Sequence, residues 1–81
     1  MQSKVASQMF IEVISCQAVE DYNRVTGHAF YELYVKVNGG FWENIVFIAD
    51  SNASAREIAL NLTPEQYKAC RELAEQGTTK H

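Results

Sequence analysis

Between Ala29 and Asp50, apolar and polar side chains alternate with a period of two on both sides of Asn38-Gly39-Gly40. The pattern predicts two β-strands joined by a tight turn. In the first strand Tyr31, Leu33, Val35 and Val37 alternate with Phe30, Glu32, Tyr34 and Lys36. In the second, Trp42, Asn44, Val46 and Ile48 alternate with Phe41, Glu43, Ile45 and Phe47. A two-residue loop, Asn38-Gly39 or Gly39-Gly40, suits a type I′ turn because both central residues need positive φ. Either register sets Tyr31, Leu33, Val35 and Val37 on one face with Trp42, Val46 and Ile48, and this is the expected core face. The Gly39-Gly40 register also sets Lys36 opposite Glu43. A three-residue loop would shift the pairing by one and mix the faces, so it is disfavoured. The second face then carries Phe30, Tyr34, Phe41, Ile45 and Phe47 beside Glu32, Lys36 and Glu43. Such a surface is either covered by a helix or left open as an aromatic patch with a charged rim, which marks a partner site.

The flanking segments follow the same logic. From Val5 to about Val19 the run is β-like, with Met9, Ile11 and Val13 on one face and Phe10, Ile14 and Cys16 on the other. Apolar residues on both faces predict a central or doubly covered strand. Residues 20–28 break the pattern and predict a solvent-facing loop, whose Glu20, Asp21, Tyr22, Arg24 and His28 form a second candidate surface. Segment 51–62 reads as a helix capped by Ser51 or Asn52, with Ser54 and Glu57 fitting a capping box. Its alternative is a strand in which Ile58, Leu60 and Leu62 alternate, and three early alanines with no Gly or Pro favour the helix. Thr63, Pro64 and Gln66 are a helix start with a Thr-x-x-Gln capping box. The apolar stripe of that helix is Tyr67, Cys70, Leu73 and Ala74, Lys68, Arg71, Glu72 and Glu75 face water, and Gly77 is the stop.

The expected fold class is therefore α+β: a three-stranded antiparallel sheet followed by two helices, the alternative being four strands and one C-terminal helix. At 81 residues the chain is read as one small domain, 1–81, with 1–4 and 78–81 as frayed tails. Its composition is that of an ordinary globular chain, with no membrane-length apolar span and no signal-like leader. Two widely spaced cysteines outside any metal motif read as reduced, buried thiols, which places the chain in a cytoplasm.

Charge and motifs narrow the function by exclusion. Ten acidic residues outnumber seven basic ones, both scattered, which argues against a general nucleic-acid surface. Gly39-Gly40 lacks the strand-to-helix context of a phosphate loop. Glu20-Asp21 has no third carboxylate at metal-loop spacing. Cys16 and Cys70 lie in apolar stretches that quiet a thiol, so neither makes a nucleophile with His28. No catalytic residue, metal or cofactor is expected.

The reading is a non-enzymatic protein-binding module whose anchors are Phe30, Tyr34, Phe41, Ile45 and Phe47 and whose rim is Glu32, Lys36 and Glu43. A homodimer is another use of the same patch. In size, mild acidity and lack of a catalytic constellation the chain resembles small phage- or plasmid-encoded inhibitors, anti-CRISPR proteins among them, and antitoxins or immunity proteins. That resemblance implies steric or electrostatic blocking of a larger target. Residues 56–70, REIALNLTPEQYKAC, read as strand then helix, look like the last strand and helix of single-stranded-DNA-binding transcriptional coactivators. That second resemblance implies an alternative role in which sheet aromatics stack on single-stranded nucleic acid.

Overall fold

Period-two segments become strands and cap-marked segments become helices in the computed structural model, which describes residues 9–76. In chain order the elements are β1 (Ile11–Ala18), α1 (Glu20–Thr26), β2 (Phe30–Val37), β3 (Trp42–Ile48), α2 (Asn52–Leu60) and α3 (Pro64–Glu75). The strands form an antiparallel sheet in the order β1-β2-β3. α2 lies against β1 and α3 against β3. This is the expected α+β arrangement with one helix more. The expected frayed tails, the Val5–Gln8 part of the first strand and the Gly77 stop lie outside the described residues.

That extra helix replaces the loop expected over residues 20–28. Glu20 and Asp21 occupy its first turn, Arg24 its last, and Gly27 ends it in the left-handed conformation at φ 79°. Acidic residues at the start and glycine just past the end are what the helix dipole and C-cap geometry favour. The Asn23 side chain then fixes the entry to β2, donating to the Phe30 carbonyl and accepting the Phe30 N–H, both at 2.9 Å.

The hairpin register differs from the expected one by a single residue. Asn38 and Gly39 do take positive φ, 54° and 73°, and the Gly40 N–H donates to the Val37 carbonyl at 2.9 Å. Strand pairing, however, begins with Lys36 opposite Trp42. Gly40 is thus an additional residue and the loop has the three-residue length that pattern alone disfavours. The parity of β3 is reversed: Leu33 pairs with Ile45 and Tyr31 with Phe47, and Trp42 and Ile48 are exposed. Val35, not Lys36, stands opposite Glu43. Asn38 is also held from the other side, its N–H donating to the Phe10 carbonyl at 2.7 Å while its Oδ1 accepts the Phe10 N–H at 2.8 Å. Those bonds extend the β1–β2 ladder into the turn.

In β1 a bulge between Val13 and Ser15 shifts the register. Before it Ile11 and Val13 stand opposite Val37 and Val35; after it Cys16 and Ala18 stand opposite Leu33 and Tyr31. One inserted residue thereby puts Cys16 on the same face as Ile11 and Val13, correcting the expectation that it opposes them. The main core cluster lies on this face, with Leu33, Val35, Ile45, Ala55 and Ala59 fully buried and Phe47 and Cys70 nearly so. A second cluster joins Phe30, Val46 and Ala74, with Val19, Tyr22 and Leu73 packed against it.

Within segment 51–62, residues Asn52–Leu60 are helical, so the strand reading, and with it the coactivator-like strand–helix junction, does not stand. Ser51 is its N-cap and accepts the Ser54 N–H at 3.1 Å; the cap thus lies at Ser51 rather than Asn52, and Ser54 is the capped residue, not the start of a capping box with Glu57. Asn52 instead donates through Nδ2 to the outward carbonyl of Cys16 at 2.8 Å and accepts from Arg56 Nε at 2.9 Å. In α3 both hydrogen bonds of the Thr63–Gln66 capping box form, with Pro64 in the first turn.

The register has a direct check. Deleting Gly40 leaves Asn38-Gly39 as a two-residue type I′ loop flanked by Val37 and Phe41, with Lys36 still opposite Trp42, so strand parity is unchanged. The deletion is expected to fold with stability within about 1 kcal/mol of the parent, and Trp42, the sole tryptophan, stays open to an aqueous fluorescence quencher in both proteins. A shielded indole in either protein contradicts this register.

Candidate partner-binding surface

The strand register separates the eight residues expected to form one site. Phe30, Glu32, Tyr34 and Lys36 share the sheet face that carries Trp42 and Asn44, whereas Phe41, Glu43, Ile45 and Phe47 belong to the helix-covered face. Ile45 is fully buried and Phe47 and Phe30 nearly so, so three of the five expected anchors are core. Glu43 turns toward α3. Of the expected set, Tyr34, Lys36, Glu32 and Phe41 reach the surface.

What the structure exposes instead is a set of aromatics at the hairpin end of the sheet, with Phe10, Tyr34 and Trp42 on the open face and Phe41 on the opposite one. Phe41 is 93% exposed, Phe10 74%, Trp42 61% and Tyr34 38%. On the open face Glu12, Lys36 and Trp42 stand abreast across the three strands, and Ser15, Tyr34 and Asn44 form the next row. Phe10 follows Glu12 outward on β1 by strand alternation, level with the turn residue Asn38. Toward the other end the face closes over: Val46 and Phe30 are buried in the second cluster, and Tyr22 of α1 meets the Phe30 ring edge-on, centroids 5.3 Å apart. The open part is therefore a half-face, with Glu12, Glu32 and Lys36 set among its aromatics. Glu32 sits close enough to Tyr34 to push its phenol pKa upward, by charge first and by burial and hydrogen bonding after it. Tyr34 accordingly stays a neutral hydrogen-bond donor through the physiological range.

Phe10 and Trp42 escape the expected site for a definite reason. The alternation that marks a strand is blind to whether its turn holds two residues or three, and that parity decides whether Trp42 or Ile45 points at the helices. The one available signal is Asn38, whose side chain can extend the β1 ladder and hold the turn open.

Behind the patch, β3 is braced by α3. Glu43 Oε1 accepts a hydrogen bond from the Tyr67 hydroxyl and lies 3.4 Å from Arg71 Nη1, while Arg71 Nη2 reaches Glu75 at 2.9 Å. Arg71 therefore does not simply face water as its helical position suggests. Burial, then the Glu43 hydrogen bond and charge, raise the Tyr67 pKa well above its ordinary value.

The second candidate surface also changes character. Glu20, Asp21 and Arg24 lie on α1, with Asp21 and Arg24 paired at 2.5 Å in full solvent exposure. Tyr22 is turned inward onto Phe30, and exposed His28 meets the same ring edge-on at 5.7 Å. These five do not converge. Burial raises the pKa of both thiols, with Arg56 partly offsetting it at Cys16, so each stays protonated near neutrality. Among the described residues no three His, Cys, Asp or Glu side chains group as metal ligands, and no helix is long and apolar enough to cross a membrane.

One further concavity lies at the opposite end of β3, between α2 and α3. It is a groove of about 420 Å³ lined by Phe47, Ile48, Ile58, Asn61, Leu62, Gln66, Ala69 and Cys70. Comparison with protein-family models, with curated proteins and with solved structures finds no match.

The brace behind the patch has a pH signature. Because the folded-state pKa of Tyr67 lies above the unfolded value of about 10, its contribution is fully present below pH ~10 and is lost as pH rises toward the folded value. Tyr67→Phe is expected to cost about 1–2 kcal/mol at pH 7, and the gap between parent and variant narrows above pH ~10. Denaturant unfolding of both proteins from neutral to alkaline pH measures it; a gap that widens with pH contradicts the assignment.

Proposed function

We propose that this chain is a non-enzymatic protein-binding module that docks by the hairpin end of its sheet. The observation that carries the reading is the concentration of exposed aromatics there: Phe10, Phe41 and Trp42, with Tyr34 beside them. A chain of this size gains stability chiefly by burying its largest apolar side chains, each aromatic removing about 150–250 Å² from water. Yet its largest fully buried side chains are Leu33, Ile45, Val35 and Val46, while its tryptophan and two phenylalanines stand in solvent. Exposed aromatics beside charged and polar side chains are the composition of a protein interface, where a few aromatic and arginine side chains carry most of the binding energy. Glu12, Glu32 and Lys36 supply the charged groups among them.

Binding in this mode suits a small inhibitor or regulator that blocks a larger partner, the role implied by the likeness in size and charge to phage- or plasmid-type inhibitors and antitoxins. Base stacking on the same aromatics is the competing use. The two carboxylates on the face, Glu12 and Glu32, oppose it, since a polyphosphate strand needs net positive charge where its backbone runs.

Phe41→Asp and Trp42→Asp are each expected to leave the circular dichroism and unfolding midpoint nearly unchanged, because neither side chain is core. Each lowers affinity for the protein partner captured from the native host by at least tenfold, in line with loss of an anchor worth about 2 kcal/mol. Ile45→Asp, by contrast, abolishes folding. Folded Asp variants that retain the partner refute the site; capture of single-stranded oligonucleotide with a steep salt dependence refutes the protein-binding reading.

A further inference from the structure

The chain carries both a protruding apolar tip and an apolar groove, and they are matched in chemistry. The tip, Asn38-Gly39-Gly40-Phe41-Trp42, contains no charged side chain, and the groove between α2 and α3 is lined by none. Ile58, Leu62, Ala69 and Ile48 give it an apolar wall. Its volume of about 420 Å³ is the room of roughly fourteen waters at ~30 Å³ each, enough for an aromatic ring with its adjoining backbone. Its two polar residues each keep one group unused by the fold. Asn61 donates through Nδ2 to the Glu57 carbonyl, which leaves Oδ1 as an acceptor. Gln66 accepts through Oε1 in the capping box, which leaves Nε2 as a donor. These complement the indole N–H of Trp42 and the free carbonyls of a diglycine turn.

Tip and groove lie at opposite ends of the seven-residue β3, a strand about 20 Å long. A chain cannot therefore fill its own groove with its own tip. We propose that the hairpin tip of one copy seats in the α2–α3 groove of a second copy, joining chains head to tail. The proposal rests on the hairpin end being a docking surface and names a second copy as its occupant. Joined head to tail without the reciprocal contact, the copies make a heterologous interface, which continues into rings or open chains. It is also small. Two aromatic side chains bury about 150–250 Å² each, so the total lies below the ~1,200 Å² of a standard interface and the association is weak, with a dissociation constant on the order of 0.1–1 mM.

The test is sedimentation and amide NMR of the full chain from about 20 μM to several mM, a range that brackets this affinity. The mean mass should rise with concentration past twice the monomer, and the Trp42 indole N–H should shift together with the amides of Ile58, Leu62 and Ala69. Phe41→Asp removes the tip and Ala69→Glu, at an exposed helix position, charges the groove. Each variant alone should stay monomeric, while their equimolar mixture forms a one-to-one dimer and nothing larger, because each keeps the surface the other lost. Ile58→Glu serves as a second groove variant should Ala69→Glu unfold. A parent chain that is monomeric throughout, a mixture that stays monomeric, or Phe41→Asp associating like the parent overturns the proposal. If the parent is monomeric yet Phe41→Asp loses a different protein partner, the second copy is refuted and the docking surface stands; if both fail, so does the surface.

Discussion

Strand parity across the β2–β3 hairpin governs what the long helices can cover. Once Leu33 and Val35 face α2 and α3, the pairing of Leu33 with Ile45 obliges Ile45 and Phe47 to join them. The same pairing obliges Trp42, Asn44 and Ile48 to leave. The core so built is made of medium aliphatic side chains and Phe47, closed by the small Ala55 and Ala59. Alanines at these positions let the helices approach the sheet closely, which a core containing an indole would prevent. The cost of this parity is Glu43, which arrives on the helix-covered side, and the hydroxyl of Tyr67 and the guanidinium of Arg71 meet its carboxylate there.

The two edges of the sheet are handled differently, and the difference leaves one region open. At β1 the bulge twists the strand, and Asn52 of α2 occupies the outward carbonyl of Cys16, which blunts that edge against strand addition. At β3, α3 lies alongside, and its residues Leu73 and Ala74 reach the cluster that buries Val46. Together with α1 over Phe30, these elements cover Phe30 and Val46 at the end of the sheet remote from the hairpin, while Ile48 stays exposed. Among the described residues, nothing comparable stands over Phe10, Tyr34 and Trp42. The open half-face follows from where the helices end.

Much of this was legible in the residues. Thr63-Pro64-x-Gln66 marks a helix start by local hydrogen bonding alone, and both bonds form. Alternation marks β2 and β3, because it reports a property of each strand separately. What alternation cannot carry is the relation between strands. One inserted residue, Gly40 in the turn and Ile14 at the bulge, reverses a face without altering any local preference. That is why Cys16 changes sides and why Ile45 and Phe47, expected as partner anchors, lie in the core instead. The short α1 was hidden for another reason: none of its residues is buried, so no apolar stripe advertises it, and its evidence lies in acidic residues at one end and Gly27 at the other.

The candidate site follows from the same error propagated once. Sequence alone identifies an aromatic hairpin with a surplus of apolar side chains over what one face can bury, and that surplus is real. Reversal of parity changes only its membership, moving Phe47 and Ile45 inward and Trp42 outward, while Tyr34 keeps its place and Phe41 changes face yet stays exposed. A hairpin with aromatics on both faces and helices on one must expose some of them in any register. Exposure at this end is thus a consequence of composition, and the register selects which rings meet a partner. The three-residue turn adds a geometric consequence: Phe41, the most exposed of them, follows Gly40 immediately and is carried beyond the last strand pair, where a ring can enter a concave surface ahead of the sheet.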